Sequence, residues 1–169
     1  MYVFDATPLI YLAKAERLSL VDELPAACVV PESVHEEVVL AGVERGHADA
    51  RRVDRAEEAG VLEVVPVEND DAFGRLRRNG NLSEADAAVL AVADGYGATA
   101  VMDERYGRDV ADAEAIETRG TAYLVLRLLK ADAIGVGDAR ETIDAMVDAG
   151  WYCSPDLYAT ILRKIDEVS

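Results

Sequence analysis

The first fifteen residues, MYVFDATPLIYLAKA (1–15), contain the pattern that decides the fold. Residues 2–4 form a short apolar run typical of a buried strand, and residues 8–13 have the composition of a helix. Asp5 lies between the two, at a point where its carboxylate would be carried into the protein interior. Because burying an uncompensated charge is costly, this aspartate is predicted to have a partner or a function.

The alternation of strand and helix continues along the chain. Further strand-like runs occur at 27–30 (ACVV), 61–67 (VLEVVPV) and 98–102 (ATAVM), and helical patterns separate them. Short strands alternating with helices indicate an α/β domain with a mainly parallel sheet. Residues 121–169 have the pattern of three more helices. We expect residues 1–169 to form a single domain, with 121–169 as its C-terminal helical part.

Several helix starts are marked by capping residues. Thr7 followed by Pro8 fits an N-cap with proline at the first helical position. Ser33 with Glu36, and Ser83 with Asp86, have the spacing of capping boxes.

The charge balance is strongly acidic: 33 Asp and Glu stand against 17 Lys and Arg, for a net charge of −16. The acids are spread along helical segments and do not form a tail, which indicates a solvated, halophile-like acidic surface suited to high salt. Such a surface disfavours non-specific nucleic-acid binding, because phosphates need cations opposite them. Any activity on nucleic acid therefore needs a metal ion, local arginines or screening by salt.

The cellular compartment is predicted from simpler features. Cys28 and Cys153 are too few for a disulfide framework, and neither belongs to a CxxC pair. The sequence has no apolar run of about 18 residues, and its start lacks a basic segment followed by an apolar one. We expect a cytoplasmic protein with no membrane partner.

Two predicted strands end on an aspartate, Asp5 and Asp103. If these strands are neighbours in a parallel sheet, both carboxylates lie at the same edge, where ligands of such sheets bind. Each aspartate alone is also compatible with a turn or loop cap. The repetition at two strand ends favours a site.

Two helices can add acids to that edge. With about 100° per residue, Glu37 falls at the boundary of the apolar face of its helix, and Glu36 lies nearly opposite that face. On the next acid-bearing helix Asp86 flanks the apolar face and Glu84 lies further round. Asp86 is equally suited to the third position of a capping box with Ser83.

Four converging carboxylates would repel one another unless a hard cation lay among them. Ligation by oxygen alone suits Mg²⁺ or Mn²⁺, with waters completing an octahedron. Such ions serve phosphoryl-transfer chemistry by activating water and stabilising negative charge. The sequence therefore offers a metal ligand as the role of Asp5.

The order of these motifs resembles PIN-domain nucleases, and within them the VapC-like toxins of prokaryotic type II toxin–antitoxin systems. The stretches that carry the resemblance are FDATPLIYLAKA (4–15), VPESVHEEVV (30–39), LSEADAAVLAVA (82–93), VMDERYGRDVA (101–111), TRGTAYLVLRLLKADAIG (118–135) and DAGWYCSPDLYATILRKI (148–165). The resemblance implies a three-layer α/β/α fold and metal-dependent endoribonuclease activity on RNA. It also implies a small cognate antitoxin that inserts a segment near the acidic pocket, and we expect a homodimer.

The resemblance assigns roles to individual residues. The catalytic and metal-binding acids would be Asp5, Glu37, Asp86 and Asp103. Thr7 matches a small hydroxyl residue that holds a ligand water or orients Asp5. Arg108 matches an arginine that contacts substrate phosphate or pairs with an acid.

The chain departs from the subgroup's pattern at two places. The fourth motif usually has two aspartates and here has Asp103 followed by Glu104, so the role of the second acid is open. The third motif usually reads Gly-Glu-Ala-Glu-Ala and here reads Ser-Glu-Ala-Asp-Ala (83–87). Glu84 is therefore a rival ligand to Asp86.

A short basic stretch, FGRLRRNGN (73–81), precedes the third motif. Arg75, Arg77 and Arg78 could bind substrate, or they could be solvated cations that favour the C-terminal end of a helix.

Other functions fit parts of the pattern. Phosphatases of the haloacid-dehalogenase type need a second aspartate two residues after the first, where this chain has Thr7. A PIN nuclease of RNA maturation and a non-catalytic PIN-like scaffold that binds a partner protein both remain open alternatives.

Overall fold

A five-stranded, all-parallel sheet forms the centre of the computed structural model, which describes all residues from Met1 to Ser169. The strands are β1 (Tyr2–Phe4), β2 (Cys28–Pro31), β3 (Glu63–Val65), β4 (Thr99–Val101) and β5 (Thr118–Arg119). Their order across the sheet is β3-β2-β1-β4-β5, and every neighbouring pair is parallel. Helices flank the sheet, so the predicted α/β fold with a parallel sheet is confirmed.

Helices fill the connections between strands and the whole C-terminal third. They are α1 (Ala6–Lys14), a 3₁₀ helix (Leu18–Val21), α2 (Glu32–His35), a π-helix (Glu36–Leu40), α3 (Ala41–Glu44), α4 (Ala48–Glu58), α5 (Asp70–Arg77), α6 (Glu84–Tyr96), α7 (Arg105–Ala113), α8 (Thr121–Lys130), α9 (Val136–Asp148) and α10 (Pro155–Val168). None of these helices is long and apolar enough to cross a membrane.

The central strands are apolar on both faces because helices cover them. All residues of β1 and β2 are buried, as parallel sheets require. Helix α6 contacts β1, β2 and β4, and its residues 87–93 are buried without interruption. Four of those seven residues are alanines, which let the helix approach the sheet closely.

The C-terminal helices pack on one another and on the first helix. Helix α8 contacts α9 and α10, and α9 reaches α1. Leu124, Val125, Leu128 and Leu129 of α8 are buried in the core. This apolar run is therefore largely occupied within the chain.

The strand order reverses direction between β1 and β4. From β1 the chain proceeds to β2 and β3 on one side, then crosses to β4 and β5 on the other. In doubly wound sheets such a reversal opens a crevice at the carboxyl ends of the two strands. Phe4 pairs with Val101, so Asp5 and Asp103 follow this point by one and two residues.

The predicted starts of two helices were wrong. Helix α1 begins at Ala6 with Asp5 as its N-cap residue, so Thr7 lies inside the first turn. Proline is tolerated there because the first-turn N–H groups have no partner within the helix. Helix α2 begins after Pro31, and the Ser33 hydroxyl is buried without a hydrogen-bond partner, so Ser33 forms no capping box.

Candidate active site

Asp5 ends β1 at the crevice and is withdrawn from water. Its residue is only 5% exposed, and its backbone N–H donates to the Val101 carbonyl of β4 at 3.0 Å. That hydrogen bond links β1 and β4 at their carboxyl ends. The carboxylate forms no capping hydrogen bond to α1. The chain therefore holds Asp5 by its backbone and leaves its side chain facing the crevice.

The electrostatics of Asp5 show which acids lie near it. The pKa of Asp5 is raised from 3.8 to about 7, and the largest causes are burial and then the negative charge of Asp86. The nearby amide of Ala6 favours the charged form, while Glu37 and Asp103 disfavour it. The structure thus brings the three other acids of the predicted site within electrostatic reach of one buried carboxylate.

Glu37 reaches the crevice from an irregular helix. It lies in the π-helix Glu36–Leu40, which joins α2 and α3 without a break. Its side chain is exposed, whereas the next two residues, Val38 and Val39, are both buried. A π turn has wider spacing than the α geometry of about 100° per residue on which the sequence prediction for Glu37 was based. Such turns are frequent at functional sites.

Asp86 serves the helix and the crevice together. Its backbone N–H donates to Ser83 Oγ (3.0 Å), and its Oδ2 accepts from the Ser83 N–H (3.3 Å), which confirms that capping box. The second oxygen of Asp86 has no partner in the chain. Glu84 is exposed and pairs with Arg77 at 3.5 Å, and its charge does not contribute to the raised pKa of Asp5. The geometry therefore favours Asp86 over Glu84.

Asp103 is held by three hydrogen bonds from the C-terminal part of the chain. Its Oδ1 accepts from the Thr121 N–H (2.7 Å), and its Oδ2 accepts from the Thr121 hydroxyl (2.7 Å) and the Trp151 indole N–H (3.1 Å). Sequence reasoning missed both donors. A Gly-Thr pair at a helix start was visible in the sequence, but nothing local points from Trp151 to a residue 48 positions away.

Glu104 is turned away from the other acids. It is the N-cap of α7, where its two carboxylate oxygens accept from the N–H groups of Tyr106 (2.9 Å) and Gly107 (2.8 Å). This gives the second acid of the fourth motif a capping role. Thr7, in the first turn of α1, is half-buried.

Arg108 of α7 is exposed and has no ion-pair partner. A cleft of about 320 Å³ beside Asp103 is lined by Arg105, Arg108, Asp109, Asp112 and Thr118. A guanidinium nitrogen of Arg108 also lies 3.5 Å from the point where a Cβ on Gly120 would be. Arg108 is therefore a free cation at the rim of the acidic crevice.

The basic stretch before the third motif forms the C-terminal end of a helix. Arg75 and Arg77 lie in the last turn of α5, and Arg78 follows as its C-cap. Arg75 binds both carboxylate oxygens of Glu114, and Arg77 pairs with Glu84. Only Arg78 of the three has no acidic partner. Arg75 and Arg77 instead fit the alternative of cations at the C-terminal end of a helix.

The donor set of the crevice suits a hard divalent cation. No three Asp, Glu, His or Cys side chains lie close enough together to form a ready-made ligand cage. Mg²⁺ does not need one, because it usually keeps several waters and binds through one or two carboxylates plus substrate phosphate. A buried carboxylate without a cation, with three other acids within electrostatic reach of it, fits that mode of binding.

The fold and the crevice define a class: doubly wound α/β proteins with an acidic site at the reversal of strand order. A model of the family DUF3368, described as a PIN domain, matches residues 1–167. The chain therefore belongs to the PIN-domain family, whose members are in general nucleases. Among curated proteins, none matches this chain with significant similarity.

Proposed function

We propose that this protein is a metal-dependent endoribonuclease whose centre is Asp5, Glu37, Asp86 and Asp103. One observation carries the proposal: the buried carboxylate of Asp5 has three acids near it and no cation from the chain. A carboxylate with this environment is either protonated or neutralised by a cation from outside. The PIN-domain family supports a nuclease in general, and the motif order supports RNA as the substrate.

Mg²⁺ or Mn²⁺ bound there would acidify a coordinated water and offset the charge of a phosphodiester. Among the neighbouring acids Asp86 raises the pKa of Asp5 the most, and these two residues would provide direct oxygen ligands. Hydrolysis adds the water oxygen to phosphorus and breaks one P–O ester bond, and the leaving oxygen departs as a hydroxyl. Glu37, which is exposed, is placed to accept a proton from that water.

Substrate must approach an acidic protein, so the free cations matter. Arg108 borders the crevice next to Asp103 and would contact the phosphate that is cut. Arg78 would bind the RNA further along its backbone. Because long-range repulsion between a −16 protein and RNA is screened at high ionic strength, cleavage is expected to improve with salt before it declines.

The biological context is proposed from the motif resemblance. The protein would be a VapC-like toxin, cytoplasmic, acting as a homodimer and inhibited by a cognate antitoxin that covers the acidic crevice. A role in RNA maturation would use the same site without an antitoxin. Co-expression with the neighbouring gene product separates the two, because an antitoxin co-purifies and abolishes cleavage.

The test is cleavage of a fluorescent single-stranded RNA at high salt with Mn²⁺, Mg²⁺ or EDTA. Asp5→Asn keeps the shape of the side chain and is expected to lower the rate by about 10³-fold, as removal of a charge-stabilising group commonly does. Asp156→Asn makes the same charge change on the exposed first turn of α10 and is expected to cleave like the wild type.

The outcomes separate the alternatives. Cleavage that needs metal and is lost only in Asp5→Asn supports the nuclease. Equal activity of the two variants removes Asp5 from the centre. A folded wild type that neither cleaves RNA nor binds Mn²⁺ supports the scaffold that binds a partner protein.

A further inference from the structure

The carboxylate of Asp103 is embedded in the C-terminal third of the chain. Its three donors come from Thr121, at the first position of α8, and from Trp151, in the segment between α9 and α10. Thr121 is fully buried and Trp151 is 5% exposed, so water competes little for these bonds. Asp103 is therefore fixed by residues 18 and 48 positions later in the chain.

The surroundings leave this carboxylate little freedom to move. A Cβ on Gly120 would lie 3.0 Å from Asp103 Oδ1, which is closer than ordinary contact. Trp151 is itself held, because its backbone N–H donates to the Met146 carbonyl at 2.9 Å. The preceding Gly150 has φ of 105°, a conformation that favours glycine.

The number of bonds limits what else Asp103 can bind. An ionised carboxylate has about four acceptor positions. Three are occupied by donors of this chain, so about one remains open. Asp103 can thus contact a cation through a single oxygen position and in one orientation.

We infer that Thr121 and Trp151 are positioning residues that aim the remaining acceptor position of Asp103 at the metal. This inference rests on the proposed function. Groups that hydrogen-bond a ligating side chain fix its orientation, and their removal typically weakens metal binding by about 10- to 100-fold. The competing explanation is that Asp103 merely caps α8. In that case loss of a donor lowers stability and leaves metal binding unchanged.

Trp151→Phe removes the indole N–H and keeps an aromatic ring in the core, and Thr121→Val removes the hydroxyl at nearly constant shape. Two controls remove hydrogen bonds in the same helical part but away from Asp103. Tyr158→Phe deletes the bond to Asp144 (2.6 Å), and Thr142→Val deletes the bond of another buried threonine to the Asp138 carbonyl (2.7 Å).

Mn²⁺ affinity is measured by calorimetry without RNA, on variants shown to be folded. Trp151→Phe and Thr121→Val are each expected to raise the Kd by about tenfold or more. Tyr158→Phe and Thr142→Val are expected to stay within about twofold of the wild type, although they lose stability of the same order. Unchanged Mn²⁺ affinity in Trp151→Phe and Thr121→Val overturns the inference while the nuclease proposal stands.

A second measurement needs no change at Trp151. It is the only tryptophan, so the indole N–H gives a single resonance in a ¹H–¹⁵N spectrum. The inference expects that resonance to shift on titration with diamagnetic Mg²⁺ and to shift in metal-free Asp103→Asn. An indole resonance that Mg²⁺ saturation leaves in place overturns the inference. A wild type that binds no metal at all overturns the nuclease proposal as well, and the wild-type Mn²⁺ titration identifies that case.

Discussion

The carboxyl edge of the sheet and the contact between α2 and α4 each contain a carboxylate withdrawn from water, but only the second has a basic side chain as its partner. At the helix contact the Glu57 side chain is 8% exposed, and its Oε2 lies 2.6 Å from Nδ1 of His35. At the sheet edge Asp5 is equally buried and faces Asp86, Glu37 and Asp103.

Burial raises the pKa of both carboxylates, and the neighbouring side chains then shift each pKa in different directions. The pKa of Glu57 stays raised by burial, and the charge and hydrogen bond of His35 offset part of that rise. At Asp5 the neighbouring side-chain charges all raise the pKa. The chain therefore compensates a buried acid internally where the role is structural. At the sheet edge it leaves the compensation to a proton or to a cation from solution.

The largest effect that tests this contrast is the pH dependence of metal-free stability. The pKa of Asp5 rises from 3.8 in the unfolded chain to about 7 in the fold, so the folded state holds the proton more tightly. Its contribution is fully present below pH 3.8 and is lost as the pH rises toward 7. At about 1.4 kcal/mol per pKa unit, this amounts to about 4 kcal/mol.

Urea unfolding in EDTA between pH 4 and pH 8, for wild type and Asp5→Asn, measures this difference. Asp5→Asn is expected to be the more stable protein at pH 8 and to approach the wild type at pH 4. Parallel pH curves for the two proteins would show that Asp5 has an ordinary environment.

The next effect is stabilisation by metal. At a free Mn²⁺ concentration of 100 times the Kd, the wild type is expected to gain about 2.7 kcal/mol in the free energy of unfolding. Asp5→Asn is expected to gain much less, because the cation no longer relieves a buried charge. The measurement is the shift in unfolding midpoint with and without Mn²⁺ at pH 8, and Zn²⁺-free buffers avoid binding to the free thiols. An equal gain in both proteins would place the metal elsewhere.

Breaking the internal pair is expected to have an intermediate effect. His35→Ala leaves Glu57 without its imidazole partner, and the pair is only partly shielded because the His35 side chain is 24% exposed. We expect the free energy of unfolding to fall by about 2 kcal/mol, below the range for fully buried pairs. Urea unfolding measures this loss. Mn²⁺ is expected to stabilise His35→Ala and the wild type equally, so the difference between them remains. Recovery in the double variant His35→Ala, Glu57→Gln would confirm that the unpaired charge is the cause.

The smallest expected effect separates the two candidate acids of α6. Glu84→Gln removes one exposed ion pair and is expected to change the free energy of unfolding by less than about 0.5 kcal/mol. Its Mn²⁺ affinity is expected to remain that of the wild type, whereas Asp86→Asn weakens binding. Calorimetric titration of both variants decides between them, since a larger loss in Glu84→Gln would make that residue the ligand.

Local patterns predicted the sheet and the strand-end acids well. Strands at 2–4, 27–30, 61–67 and 98–102 were visible as apolar runs. Three of the four corresponding observed strands lie within these regions, and β2 (Cys28–Pro31) extends one residue beyond its region. The strand β5 (Thr118–Arg119) was not recognised, because two polar residues carry no hydrophobic signal. Its place in the sheet is decided by pairing with β4.

The details that failed are those that depend on distant contacts or on competing local geometries. Ser33 and Ser83 have the same capping spacing, but Pro31 is the N-cap residue of the earlier helix, so Ser33 lies in the first turn of that helix. Glu104 resembled a second site acid, and only the backbone path into α7 shows that it caps that helix. The bond from Trp151 to Asp103 joins residues that no local pattern connects.

The π-helix Glu36–Leu40 also has an evolutionary consequence. Such a turn is equivalent to an α-helix that carries one additional residue. Deleting one codon within it would restore a continuous helix and rotate the residues on its C-terminal side by roughly 100°. Gly42, which packs directly against Ala50 of α4, would then leave that contact while Glu37 changed its direction relative to the sheet. A single insertion or deletion at this turn can therefore change which acid a lineage with this fold presents at the crevice. No other residue needs to be substituted, although the residues after the turn change their contacts.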